Sequence, residues 1–177
     1  MKTLNNTEDP LVHIVVNFFS IPLSRLGDMA SLPVPNCLSL VLYFKDGYEV
    51  TASISSDSHQ MIKVTKNDFH LINVYRSTGA NNQQFISDLD ALTSDPATYI
   101  IVGDFNKNLL CDPKPTLVRQ MSTRGFIQLV DLPTHYQGGC LDHVYFNGSQ
   151  GKLAIEVNFR NYTDHAAVTV MAETGFE

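Results

Sequence analysis

Apolar and polar positions divide this chain into short extended runs separated by turn signals, with two interruptions of helical period. Residues 11–19 (LVHIVVNFF) are an apolar, β-branched run of strand length. Pro22, Pro33 and Pro35, with Gly27, punctuate an irregular stretch after it. Residues 38–44 (LSLVLYF) predict a buried strand, and Lys45-Asp46-Gly47 carries the Asp-Gly signal for a hairpin turn. Residues 48–54 and 61–65 continue an antiparallel meander, and 69–75 (FHLINVY) are strong β-formers.

The period then changes. Phe85, Leu89 and Leu92 fall at i, i+4 and i+7, which predicts a helix over 81–92 with one apolar stripe. Residues 98–102 (TYIIV) are continuously apolar and predict a central strand covered on both faces. Leu117 and Met121 mark a second short helix, and Gly125 stands where a left-handed stop belongs. Residues 126–130, 141–146, 152–157 and 166–172 complete the strands. Many strands with a few interleaved helices predict an α/β protein of two packed sheets with helices outside. No repeat, charge block or Ser/Gly linker divides the sequence, so 1–177 reads as a single domain, with 1–37 a divergent N-terminal part.

Composition narrows the function classes. With 177 residues, 44% hydrophobic and 17% charged, collagen, coiled coil, low complexity and most disorder are excluded. Twelve Lys+Arg against eighteen Asp+Glu leave a net charge of −6, which argues against nucleic-acid binding through a broad basic face. An enzyme that meets phosphate through a bound cation is still allowed. Cys37, Cys111 and Cys140 are too few and too scattered for a disulfide framework, and no CxxC pair offers zinc ligands. The first ten residues lack an apolar leader core, and 11–19 are too short to span a bilayer. The expectation is an intracellular protein of nucleus or cytoplasm, neither secreted nor membrane-bound. The sequons at Asn5, Asn147 and Asn161 then read as chance matches.

Candidate chemistry collects at strand ends. In YIIVGDFN an apolar strand runs into Gly103, and Asp104 and Asn106, two apart, project to one side. Asp104 offers a hard anionic oxygen or a proton acceptor, and Asn106 a neutral donor for a phosphate oxygen. Taken alone the segment reads as a turn as readily as a site, because both residues favour turns. Asp142-His143 and Asp164-His165 each precede an apolar run. A carboxylate beside a histidine orients the ring and raises its basicity. Singly, each pair also reads as a satisfied strand-edge pair; together with Asp104 and Asn106 they favour a site.

The runs NVYRS (Asn73–Ser77), IIVGDFN, GFIQLVDLPTH…LDHVYFN and YTDHAAV resemble the endonuclease/exonuclease/phosphatase superfamily, nearest to the apurinic-type endonuclease domains of mobile elements, over about Leu38 to Ala172. The resemblance implies a DNase I-like four-layered α/β sandwich of two mixed, mainly antiparallel sheets, here N-terminally shortened. It implies Mg²⁺-dependent phosphoester cleavage, with Mn²⁺ as an alternative ion. By the same resemblance, Tyr75 lies near the scissile phosphate and Asp104 activates or positions the attacking water. Asn106 grips the phosphate, Asp142 orients the catalytic histidine, and Asp164 and His165 are the closing Asp-His pair, with Thr163 in place of serine. Arg76 and Lys107 are candidate phosphate contacts, each also readable as a solvated charge.

The sequence departs from that family at its metal site. Only Glu8, Glu49, Glu156, Glu173 and Glu177 are available, and none follows an apolar strand in the order the metal-binding glutamate requires. Asn17 can stand for the first-strand asparagine, leaving Asp164, Asp104 and Asn17 as metal ligands and a weakly bound cation. The expected function is a reverse-transcriptase-associated DNA endonuclease of poor or absent turnover, a monomer acting on DNA or another phosphodiester. The alternatives are a non-catalytic remnant that binds partners, and a phosphatase or lipid phosphodiesterase on the same fold. The missing element is also what a truncated member would show. His13, His59, His70 and His135 read as structural.

Overall fold

The structure, a computed structural model, describes residues 11–16, 29–31, 41–43, 48–66, 68–111, 115–149, 153–159 and 163–173. Eleven strands and two helices follow in the order β1 (Leu11–Val16), β2 (Met29–Ser31), β3 (Val41–Tyr43), β4 (Glu49–Ser55), β5 (His59–Lys66), β6 (Phe69–Arg76), α1 (Asn82–Leu92), β7 (Thr98–Asp104), α2 (Thr116–Ser122), β8 (Ile127–Gln128), β9 (Asp142–Phe146), β10 (Leu153–Asn158) and β11 (Ala167–Glu173).

The predicted central strand is central. The main sheet has the order β4-β5-β6-β7-β9-β8, and only the β6–β7 pair, joined by α1, is parallel. Along β7, Ile100 and Val102 point to one side and Tyr99 and Ile101 to the other, all almost fully buried. On the first side they meet Ile62, Val64, Leu71, Val144 and Phe146, and Val168 and Val170 of a three-stranded sheet, β1-β11-β10. On the second side, Met61, Ile72, Val74 and Tyr145 meet Phe85, Ile86, Leu89 and Leu92 of α1 and Leu117 and Met121 of α2. Period two in the strands and 3.6 in α1 thus supply the two faces of a helix–sheet–sheet stack. This is the expected α/β sandwich of two packed sheets, beside which β2 and β3 form a small two-stranded sheet. Of the four layers expected, the described residues supply three, both helices lying on the outer face of the larger sheet.

Local signals explain the element ends. The Asn81 side chain caps α1, accepting from the Gln83 and Gln84 amides at 2.8 and 3.4 Å. Gly125, at φ +81°, follows α2 as the expected left-handed stop. The 126–130 run pairs over only two residues, 127–128, and then continues as a loop whose Leu129 amide still reaches Val144 O. The hairpin turn expected at 45–47 lies outside the described residues; among those described, β3 pairs with β2, inside the stretch expected to be irregular, and β4 pairs with β5. The exposed pattern of β4 marks it as a sheet edge. No helix among the described residues is long and apolar enough to cross a membrane.

Candidate active site

β6 and β7 end, and β9 begins, at one edge of the main sheet. The register sets Tyr75 beside Asp104 and Asp104 opposite Asp142. Asp104 and Asp142 share the side of Ile100, Val102 and Val144, so both carboxylates turn toward the second sheet, 6% and 1% exposed. From that sheet's side comes His165, just before β11. Its Nδ1 lies 2.9 Å from Asp142 Oδ2. Asp142 Oδ1 is buried with no hydrogen-bond partner. Half-buried Tyr75 packs against the core between the sheets.

The Asp104–Asn106 segment is a turn and part of the site at once. The Asn106 amide donates to Asp104 Oδ1 at 2.9 Å, an Asx turn. Asn106 takes φ +49°, a left-handed conformation that asparagine tolerates. Between them Phe105 is fully buried against Phe85 and Tyr145 and stacked on His143 at 4.6 Å, which pins the loop to the helix-side core. Asn106 Nδ2 donates to Arg76 O at 2.8 Å and to Asp104 Oδ2 at 3.1 Å. Both partners are acceptors, so the amide orientation is fixed and both its protons are committed. Gripping a phosphate requires one of these bonds to open.

Electrostatics separates the two central groups. Burial, and then the facing Asp142, push the Asp104 carboxyl up to about 7. The hydrogen bond to Asp142 raises His165 above its usual value, against an opposing effect of burial. A carboxyl that titrates near neutrality and a histidine biased toward its cation are suited to act as base and acid.

Arg76, expected at the phosphate, is elsewhere. Its side chain leaves β6 on the helix side, fully buried, with the guanidinium over the Phe85 ring. It donates to Ser77 O, Phe105 O, Ala80 O and Asn82 Oδ1. Arg76 therefore ties the 77–82 turn to the catalytic loop, and a charge next to a strand end is no guide to which face it takes. Lys107 is half-buried in the loop after Asn106, and its carbonyl bonds His143 Nε2 at 2.7 Å. Burial lowers His143 to about 4, so this ring is neutral and structural. Asn17 lies outside the described residues.

Two residues at the site were not read from the sequence as functional. Thr134 is fully buried, and its Oγ1 accepts from the Leu141 and Asp142 amides at 2.9 and 3.0 Å. Its carbonyl accepts from Ala166 at 2.7 Å, so one residue fixes both Asp142 and the segment carrying His165. His135, expected to be structural, forms a bridge with His165 and sets its Nε2 3.6 Å from Asp164 Oδ2. The Pro133-Thr134-His135 sequence was the available signal. Thr134→Val keeps the shape of the side chain and leaves two amides without an acceptor. Its expected cost is about 2 kcal/mol, read from the urea midpoint, with Thr134→Ser near wild type; equal midpoints for Val and wild type would show the hydroxyl dispensable.

Mg²⁺ takes a near-octahedral shell of oxygen ligands. Among the described residues, the one set of three or more potential ligands within 4.8 Å of one another is His135, Asp164 and His165. Two imidazoles and one carboxylate do not fit a hard oxygen-seeking cation, and Asp104 is not part of that set.

No family model matches the sequence, and no curated protein sequence matches it. Solved structures do match. The fold is similar to the endonuclease domain of TRAS1, a telomere-specific non-LTR retrotransposon, with a TM-score of 0.63 and 11% identity over 82% of this chain and 78% of that one. It is similar to the human Nocturnin catalytic domain, at 0.55 and 14% over 81% and 70%. It is also similar to an endonuclease/exonuclease/phosphatase family protein from Bacteroides thetaiotaomicron, at 0.51 and 11% over 79% and 70%. The likeness is one of fold, the DNase I-like arrangement that the motifs implied.

Proposed function

We propose that this chain is a phosphodiesterase-type hydrolase acting on DNA, an endonuclease domain of the mobile-element kind. The observation that carries the reading is the convergence of Asp104, Asp142 and His165 from two sheets onto one edge, with Asp142 holding His165 at 2.9 Å. The likeness to the TRAS1 endonuclease domain, at a higher TM-score than Nocturnin or the Bacteroides protein, supports DNA as the substrate.

Hydrolysis of a phosphodiester needs a deprotonated water in line with the leaving oxygen and positive charge on the phosphoryl oxygens. Asp104, titrating near neutrality, takes the water's proton. His165, with Asp142 behind Nδ1, presents Nε2 to the phosphate and gives its proton to the departing oxygen as the P–O bond to it breaks. Tyr75, beside Asp104 in register, borders the phosphate, and Lys107 supplies further positive charge. No glutamate stands where the family's metal ligand is expected, so a weakly held cation and slow turnover are expected.

The test is nicking of supercoiled plasmid and of an abasic-site duplex, in Mg²⁺ and in Mn²⁺. Nicking by the wild type, reduced about 10²-fold in His165→Asn, is the expected result. Nicking that His165→Asn leaves unchanged sinks the assignment. A second reading, a binding remnant that does not cleave, is favoured by the two committed amide protons of Asn106. It predicts duplex retention in a gel-shift assay with no nicked product.

A further inference from the structure

We propose that His135, Asp164 and His165 form a binding site for a borderline-soft divalent cation of the Zn²⁺ and Co²⁺ class, in place of the hard-cation site that the fold family implies. The inference goes beyond the proposed hydrolysis, since the ion can be held whether or not the chain cleaves DNA.

The first support is the donor set. Two imidazole nitrogens and a carboxylate oxygen suit zinc and its neighbours in the first transition row, whereas Mg²⁺ prefers oxygen alone and keeps its waters. The three ligand atoms already lie within 4.8 Å of one another. Ligands about 2.0–2.1 Å from one tetrahedral ion stand about 3.4 Å apart. The His135 Nε2 to Asp164 Oδ2 separation, 3.6 Å, is near that value, and the Asp164 side chain is exposed. Three protein ligands leave a fourth position open, as in zinc sites that bind water or substrate.

The backbone supplies the second support. His135 and His165 are thirty residues apart yet face each other in an isolated antiparallel bridge. Tyr136 N donates to Asp164 O at 2.8 Å and Ala166 N to Thr134 O at 2.7 Å, on either side of the bridge. The Thr134 and His135 amides both bond Gly139 O at 2.9 Å, which holds the His135 turn against the rest of the loop. The ligand-bearing segments are thus fixed to one another before any ion arrives, so binding costs little ordering entropy.

The third support is what stands behind the ligands. In the neutral ring, Asp142 Oδ2 accepts from His165 Nδ1–H at 2.9 Å, so the ligating lone pair is that of Nε2, and a cation binds there in competition with the Nε2 proton. A carboxylate behind a histidine is the usual outer partner of a metal-bound imidazole. For His135, the Gln137 amide donates to Nδ1 at 3.3 Å, the weakest bond in the cluster. Coordination through Nε2 moves that ring's proton to Nδ1 and opens the Gln137 contact. A cation on His165 Nε2 also removes the proton-carrying atom from phosphate chemistry, so the loaded site is inhibited for hydrolysis.

The experiment is titration of the chelator-treated full chain with ZnCl₂, CoCl₂ or MgCl₂, followed by calorimetry and thermal shift, with the visible spectrum recorded for Co²⁺. Expected are one Zn²⁺ site, a rise in Tm, a Co²⁺ ligand-field band, and no rise in Tm with Mg²⁺ at the same concentration. His135→Gln and Asp164→Asn each weaken Zn²⁺ binding at least 10-fold and lose the Co²⁺ band. Asp164 is exposed, so its variant folds even where His135→Gln does not. Zn²⁺ or Co²⁺ binding that survives both substitutions, or Mg²⁺ binding equal to that of Zn²⁺, overturns the proposal. Neither outcome depends on plasmid nicking, so the hydrolase reading stands or falls separately.

Discussion

Gly103→Ala is expected to lower stability by about 4 kcal/mol or more, a large part of what holds a domain of this size together. The residue sits at φ +147°, a conformation that side-chain-bearing residues rarely adopt. A Cβ placed there would lie 1.8 Å from Val74 O and 2.7 Å from Val74 C, both backbone atoms of β6. Backbone of a central strand cannot step aside as a flexible side chain can, so the added carbon forces β6 and β7 apart. That pair is the parallel centre of the main sheet and places Tyr75 beside Asp104. The expected thermal midpoint is lower by about 10 °C or more. Gly79→Ala, where a Cβ meets nothing within 4 Å, is the control. A Gly103→Ala protein that melts with the control would show the close approach to be absent.

Asp104→Asn is expected to abolish function and stabilise the fold. On the proposed mechanism Asp104 is the base, which is worth about 10³-fold in nicking, and the variant is expected to lose that factor. The stability effect has the opposite sign because the native carboxyl is raised from 3.8 to about 7 by burial and by Asp142. A group raised in this way favours the folded state below its unfolded value, and that contribution is lost as pH climbs through about 4 to 7. At pH 8 the wild type holds a buried charge facing a second carboxylate, and asparagine does not. The shift of about 3 units sets an upper bound near about 4 kcal/mol. Asparagine gives back part of it, since the 3.1 Å bond from Asn106 Nδ2 to Asp104 Oδ2 becomes a donor facing a donor. The expected gain is about 2 kcal/mol at pH 8 and none at pH 4, from urea unfolding in EDTA. Equal stability of the two proteins across that range would remove the electrostatic basis for calling Asp104 a base.

How far the sequence reaches is visible in particular residues. The continuous apolar run of β7 announces a strand covered on both faces, and the polar residues that follow it must then lie at a sheet edge. Asp104, Asp142 and His165 were legible for that reason: each adjoins a strand whose period is clear. His135 was not, because its role depends on a bridge across thirty residues that no local pattern encodes. Thr134 was hidden likewise, since a buried hydroxyl serving two amides looks in sequence like any loop threonine. Arg76 misled in the opposite direction. The two-residue period of β6 already sets its side opposite to Tyr75, but the carbonyls that satisfy it lie in a turn whose path only the packed structure defines.

The carboxylates at the centre of the site stand on one sheet, while the imidazole that completes it arrives with the other, whose grip on the first is made by Val168 and Val170. Alignment of the reacting groups is therefore a gauge of how squarely the two halves of the sandwich sit on one another. A small slip between them, too slight to melt either half, would misalign the Asp142–His165 couple first. If the proposed hydrolysis runs through that couple, it fails early under strain, and a loosened molecule falls silent before it unravels.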